Sequence, residues 1–192
     1  MATTKAWLRR AGRGILPDGA TLIWSAADGE RGRRWRASAT LDGRMTHAVL
    51  LETSPAGKVL RLELATASGL LTLHPERDGR SIHGNIVHVG GVRPLEFPWS
   101  ADHELEIVDR PGPTAVMLRR LARTVEVGGG ETVSILSIDA SLVVRPGNRL
   151  VRRLAPDRWL VADVAGARET TIELDADGIP VLGAPADWPL DA

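Results

Sequence analysis

The chain is written in period two. From Arg33 to Leu41, Trp35, Ala37, Ala39 and Leu41 alternate with Arg34, Arg36, Ser38 and Thr40. Successive side chains of a strand point to opposite faces, so this pattern describes a ribbon with one apolar and one wet face. Asp42-Gly43 comes next, a hairpin-turn dipeptide. Met45–Thr53 then reads as a strand apolar on both faces, and Pro55-Ala56-Gly57 as a turn. In Lys58–Ala65, Leu60, Leu62 and Leu64 oppose Arg61 and Glu63. Gly69–His74, Arg80–Val89 and His103–Val108 repeat the theme between Pro75, Asp78-Gly79 and Gly90-Gly91.

Beyond the Gly128–Gly130 loop, Thr132–Val144 is one long extended segment or two strands bent near Asp139. Pro146-Gly147-Asn148 reads as a turn into Arg149–Leu154. Strands are then expected at Trp159–Val164, Arg168–Leu174 and, after Asp177-Gly178, Ile179–Leu182. Thr114–Thr124 stands apart. Pro113 suits the first turn of a helix, which would align Met117, Leu121 and Val125 and leave Arg119, Arg120 and Arg123 outside. Val125 and Val127 fit a strand, so the segment reads as a short helix or as a loop running into a strand. The expected fold is mainly β in a single domain over residues 1–192. A sheet of ten or more strands must curl, close or split into two layers, and a large curved antiparallel sheet, a half-barrel or barrel-like meander with at most one or two short helices, is expected. Strands apolar on both faces mean that the curl encloses either packed side chains or a ligand cavity.

Composition removes several functions. The chain has no cysteine, which excludes disulfides, thiol nucleophiles and Cys-ligated metals. Its 24 basic residues balance 24 acidic ones, which argues against a nucleic-acid partner. The charge is unevenly spread: Lys5, Arg9, Arg10, Arg13, Arg31, Arg33, Arg34 and Arg36 crowd the start, and only acids occur from Glu169 onward. Either the two ends neutralise each other across the folded surface, which is the simpler reading, or the basic start forms a dedicated anion-binding face. Arginines interrupt any secretory leader and no run is long enough to span a bilayer, so a cytoplasmic chain without a transmembrane segment is expected.

Catalytic constellations are thin. His83 and His88, five residues apart, point to opposite faces of one strand and do not chelate one ion. Neither a nucleophile elbow nor a phosphate loop occurs, and neither a metal nor a cofactor is expected. Glu104 and Glu106 share a strand face opposite Leu105 and Ile107, which reads as a solvated edge rather than an acid pair. The sharper features join arginine to tryptophan: Arg33-Arg34-Trp35-Arg36, and Arg152-Arg153 ahead of Trp159. Guanidinium groups donate in pairs to phosphate, carboxylate or sugar oxygens, and indoles stack on sugars or acyl chains. Equally, Trp35 can be core, with Arg34 and Arg36 on the wet face.

Pro111-Gly-Pro-Thr-Ala-Val-Met-Leu-Arg-Arg-Leu121 resembles the P-x-T-N-x-L-P-I-R-R-L signature of a glycolipid-binding family, with Pro111 and Arg119-Arg120-Leu121 in register. Leu174-Asp-Ala-Asp-Gly-Ile179 is similar to that family's closing L-x-V-D-x-D-G-L-V turn, and Trp188-Pro189 resembles its terminus loosely. Ser141–Val144 and Asn148–Leu154 sit where the family has two further strands. The chain departs from the pattern at Pro113-Thr114, Met117 and Ala184-Pro185, and its first half shares only the rhythm of strands. The resemblance implies a curved sheet like those of lipoprotein carriers, wrapped around an apolar cavity, in a family whose binding role is itself inferred from fold and cavity.

The expected function is therefore non-catalytic binding of a small amphipathic ligand, a lipid or glycolipid. Trp35, Arg36, Trp99, Arg119, Arg120 and Trp159 are the candidate ligand-binding residues. A small hydrolase or isomerase using His83 or His103, and an interaction module with a filled core, are the alternatives. A cavity of roughly 300 Å³ or more with arginine at its mouth would favour the carrier.

Overall fold

The computed structural model describes residues 8–15, 19–76, 78–95, 99–108, 110–166 and 168–182. Lys5, Trp188-Pro189 and the acids Asp187 and Asp191 lie outside the described residues. The first eight strands form a curled, half-barrel meander in which each pairs antiparallel with the next. They are β1 (Arg9–Ile15), β2 (Thr21–Gly29), β3 (Gly32–Leu41), β4 (Arg44–Thr53), β5 (Val59–Thr66), β6 (Gly69–Pro75), β7 (Ile82–His88) and β8 (Gly91–Pro94). A second, six-stranded sheet runs in the order β14-β13-β12-β11-β10-β9. Its members are β9 (Glu104–Ile107), β10 (Gly130–Ile138), β11 (Val144–Arg153), β12 (Arg158–Asp163), β13 (Glu169–Leu174) and β14 (Pro180–Leu182). One helix, α1 (Pro111–Leu121), connects β9 to β10.

The fold is thus mainly β, as the alternation predicts, but split into two sheets rather than one. One pairing is parallel: Leu136 lies opposite Leu105, and Ile138 opposite Ile107. A hairpin cannot make that pair. A connection long enough to bring the chain back to the same end can, and α1 is that connection. The helix begins at Pro111 rather than Pro113, because the missing N–H of proline costs nothing at the first helical position. Val125 and Val127 are not strand. The chain turns after Ala122, and Val125 is buried beside the helix.

Register decides which side chains share a face. Ala26, Trp35, Leu51, Leu62 and Leu73 form one cross-strand row of the first sheet, and Trp24, Ala37, Val49, Leu64, Leu71 and Ile86 the next. This covered face packs against Leu105, Ile107, Leu136 and Ile138 of the second sheet, with Leu142 and Ile179. The alternate residues of β10, Val133 and Ile135, turn the other way. They join Val151, Trp159, Ile172 and Leu174 under Ala115, Met117, Leu118 and Leu121 of α1. Two cores therefore share one wall, the β9–β10 ladder.

Two local readings change. Pro146-Gly147-Asn148 is not a turn but the middle of β11, and the real turn comes earlier, at Asp139–Leu142. Pro146 is tolerated because β12 pairs only with Arg149–Arg153, so its absent N–H faces no neighbouring strand. β1 and β2 carry no clean alternation in sequence, yet they pair over their length from Arg9 opposite Ala27 to Ile15 opposite Thr21. The β2–β3 turn depends on Gly32. Its φ is 117°, and a Cβ there would lie 1.9 Å from the Thr53 carbonyl oxygen.

Trp159 is fully buried in the second core, whereas Trp99 is half-buried at the margin of the first. Trp159→Ala is expected to lower unfolding free energy by about 3–5 kcal/mol in urea denaturation, and Trp99→Ala by less.

Candidate functional site

Most arginines that the sequence offers as ligand contacts are already occupied. Arg10 on β1 reaches Asp175 and, at 2.9 Å, Asp177, both in the β13–β14 turn. The basic start and the acidic finish therefore meet at this turn. Arg33 is almost wholly buried. It donates through Nε and Nη2 to the two Asp28 carboxylate oxygens at 2.6 and 2.9 Å, and through Nη1 to the Asp177 carbonyl at 2.6 Å. Asp175 also accepts the backbone N–H of Asp177 and of Ile179, which fixes the turn that holds these anions. Arg120 pairs with Glu104 beneath α1. Arg119 lays its stem over Gly178 and stands 3.9 Å from Asp28.

Glu104 corrects the reading of a solvated edge. It is buried between β9 and α1, while Glu106 is half-buried and accepts two bonds from Arg149 at 2.7 Å. The two carboxylates answer two different arginines, so no acid pair converges. Desolvation by burial raises the Glu104 pKa above the ordinary glutamate range, although the Arg120 charge opposes the rise.

Of the three predicted tryptophans, Trp35 and Trp159 are core elements. Trp35 packs 6.5 Å from Trp24 in the first core, with the Arg33 guanidinium 5.7 Å from its ring centre. Trp159 lies in the second core under Arg153. Trp99 stacks on His103 at 5.7 Å. Of the six candidate residues, Trp35 and Arg36 adjoin one small recess, lined also by Val49, His47, Arg110 and Pro113. That recess measures about 20 Å³, and a second void among Arg33, Arg119, Arg120 and Arg123 about 10 Å³. Each has room for roughly one water. Among the described residues, neither void between the sheets has room for a ligand.

Open room lies on the other face of the first sheet. A trough of about 520 Å³ crosses its middle strands. One row is Ile23, Ser38, Ala48, Ala65 and Leu70, each opposite the next across β2 to β6. The adjoining row is Ala11, Ser25, Arg36, Leu50 and Glu63. Small side chains make the floor, and Ile23, Leu50 and Leu70 the apolar relief. Ile23 is 60% exposed although apolar. Glu63 is paired with Arg61, while Arg36 has no ion pair among the described residues. Of the predicted residues, only Arg36 reaches the trough. Its other residues carry no signal in sequence, because alanines and serines on five strands become one surface only through register.

The histidines do not gather. His83 is exposed and 3.4 Å from Glu76, and His103 accepts the Ser100 N–H at 2.9 Å. His47, which has no distinguishing pattern in the sequence, is buried and accepts a bond from Arg110 at 2.8 Å. Among the described residues, no group of three or more His, Asp or Glu side chains is placed to hold a metal ion.

The chain matches no family model and no curated protein. A crystal structure of a DUF1089 family protein from Pseudomonas aeruginosa is similar to it at a TM-score of 0.54. The two share 18% sequence identity, over 98% of this chain and 96% of that one. Likeness at this identity concerns the fold alone.

The ion pairs set two expected outcomes. Arg10→Ala should cost about 1–3 kcal/mol in denaturant unfolding, because it leaves two half-buried carboxylates without their cation. Arg34→Ala, which removes a more exposed partner of Glu52, should stay within about 1 kcal/mol. Glu104 sets a pH dependence. Its folded pKa lies above the unfolded one, so its contribution to stability is complete below the ordinary glutamate range and is lost as pH rises through the raised value. Relative to Glu104→Gln, the native chain should therefore lose stability across that interval in urea titrations at stepped pH.

Proposed function

We propose that this protein binds an amphipathic ligand, a lipid or glycolipid, without catalysis, along the trough on the open face of its eight-stranded sheet. The observation that carries the reading is the trough itself. Its volume of about 520 Å³ falls within the usual range for ligand sites, its lining is chiefly apolar, and Arg36 stands in it without an ion pair among the described residues. An acyl chain would lie along the Ser38–Ala48–Ala65 floor, and a polar headgroup would meet Arg36. The small size of the two voids between the sheets, among the described residues, argues for this face over an interior cavity. No helix among the described residues is long and apolar enough to cross a membrane.

Native mass spectrometry of the purified protein should show a co-purified amphiphile. Ala48→Trp, which fills the centre of the floor, should abolish it while the circular dichroism spectrum is unchanged. A native chain free of any amphiphile, and indifferent to added ones, would remove the reading.

The packed core of described residues also supports a second reading, a protein-interaction module that docks through the same face. In that case light scattering should show association that rises with concentration, and Ala48→Trp should weaken it.

A further inference from the structure

The open face has a charged end. Register places Ala11 of β1 opposite Ser25 and Ser25 opposite Arg36, so these three lie in one row across neighbouring strands. Arg9 and Arg13 flank Ala11 at two residues on either side and therefore share its face. Each stands about 7 Å along the strand from Ala11, and Arg36 lies about two strand spacings, roughly 10 Å, across from it. Three guanidinium groups thus surround the Ala11–Ser25 floor where the trough reaches the sheet edge. All three side chains are exposed, and none has an ion pair or hydrogen bond among the described residues.

The contrast with their neighbours is informative. On the same face, Arg34 is matched by Glu52 and Arg61 by Glu63. On the covered face, Arg10 and Arg33 are matched by Asp175, Asp177 and Asp28. In a chain with equal numbers of acids and bases, the uncompensated charge of this region sits at one end of a large apolar trough. An apolar floor that ends in three free guanidiniums is complementary to a single-chain amphiphile with an anionic head. Arginine holds phosphate, sulfate or carboxylate oxygens through paired donors.

We propose that the ligand of the trough is an anionic amphiphile whose charged head is held by Arg9, Arg13 and Arg36. This rests on the trough being the ligand site. It goes further by excluding uncharged glycolipids as preferred ligands and by assigning β1, which the sequence pattern leaves unread, a part in recognition.

The test uses decyl phosphate and decyl maltoside, both below their micelle concentrations, titrated into the native chain and into an Arg9→Gln/Arg13→Gln/Arg36→Gln variant by calorimetry. Decyl phosphate should bind the native chain at least about tenfold more tightly than decyl maltoside. The triple variant should lose that preference while keeping its affinity for decyl maltoside. The preference should also shrink as sodium chloride is raised, since these charges are solvent-exposed. Equal affinity of the native chain for both amphiphiles, or a preference that survives the triple substitution, overturns the anionic assignment and leaves the trough as a ligand site. Binding of neither amphiphile overturns the trough itself, and the assignment falls with it. Ala48→Trp separates the cases further: it should remove both affinities without touching the arginines.

Discussion

The structure depends on a short parallel ladder that is buried from both sides. Leu105, Ile107, Leu136 and Ile138 press into the first sheet, and Val133 and Ile135, the alternate residues of β10, press into the second core. A strand with two apolar faces has to be covered twice. The eight-stranded sheet supplies one cover and α1 the other. Helix and meander are therefore tied to each other through the strands between them. The buried Arg120–Glu104 pair belongs to the same arrangement: a carboxylate on the helix side of β9 has no water to turn to, and the helix that excludes the water brings the cation.

How much of this is legible in the sequence depends on how local the cause is. β3 and β4 are legible to within a residue, because alternation and the Asp42-Gly43 turn are properties of a few neighbouring residues. The Asp177-Gly178 turn is legible for the same reason, and the structure shows it held by the Asp175 side chain. That so many strands must curl, close or split is legible, but the choice of a split and its place are not. The split depends on whether His103–Val108 pairs with an earlier strand or a later one, and its partner, β10, lies beyond a helix. Pro146 misleads because proline is a turn signal everywhere except beside an empty position in a sheet.

The site is harder to read than the fold. Trp35 and Trp159 stand out because tryptophan stacks on ligands, but large apolar side chains serve packing first, and both are core. The trough is made of small side chains aligned across strands, and a sequence does not display such a hollow until register is known. Arg36 alone is both a sequence candidate for recognition and part of that surface. Arginine gives opposite signals in this chain. Arg10 and Arg33 are fasteners between the sheets, whereas Arg9, Arg13 and Arg36 have no ion pair among the described residues, and only the alternation of faces distinguishes them.

Among the described residues the curl does not close, and its two edge strands, β1 and β8, each have a row of backbone donors and acceptors with no strand beside it. At one end β8 is only four residues long, wholly exposed, and ends at Pro94. Such a strand is too short, and too poor in N–H groups, to template another. At the other end β1 carries Arg9, Arg10 and Arg13 along its length. A second copy attempting to pair there would bring its own arginines against these, and like charges in register repel. The half-barrel can stay open, with an uncovered apolar face, without polymerising into a continuous sheet.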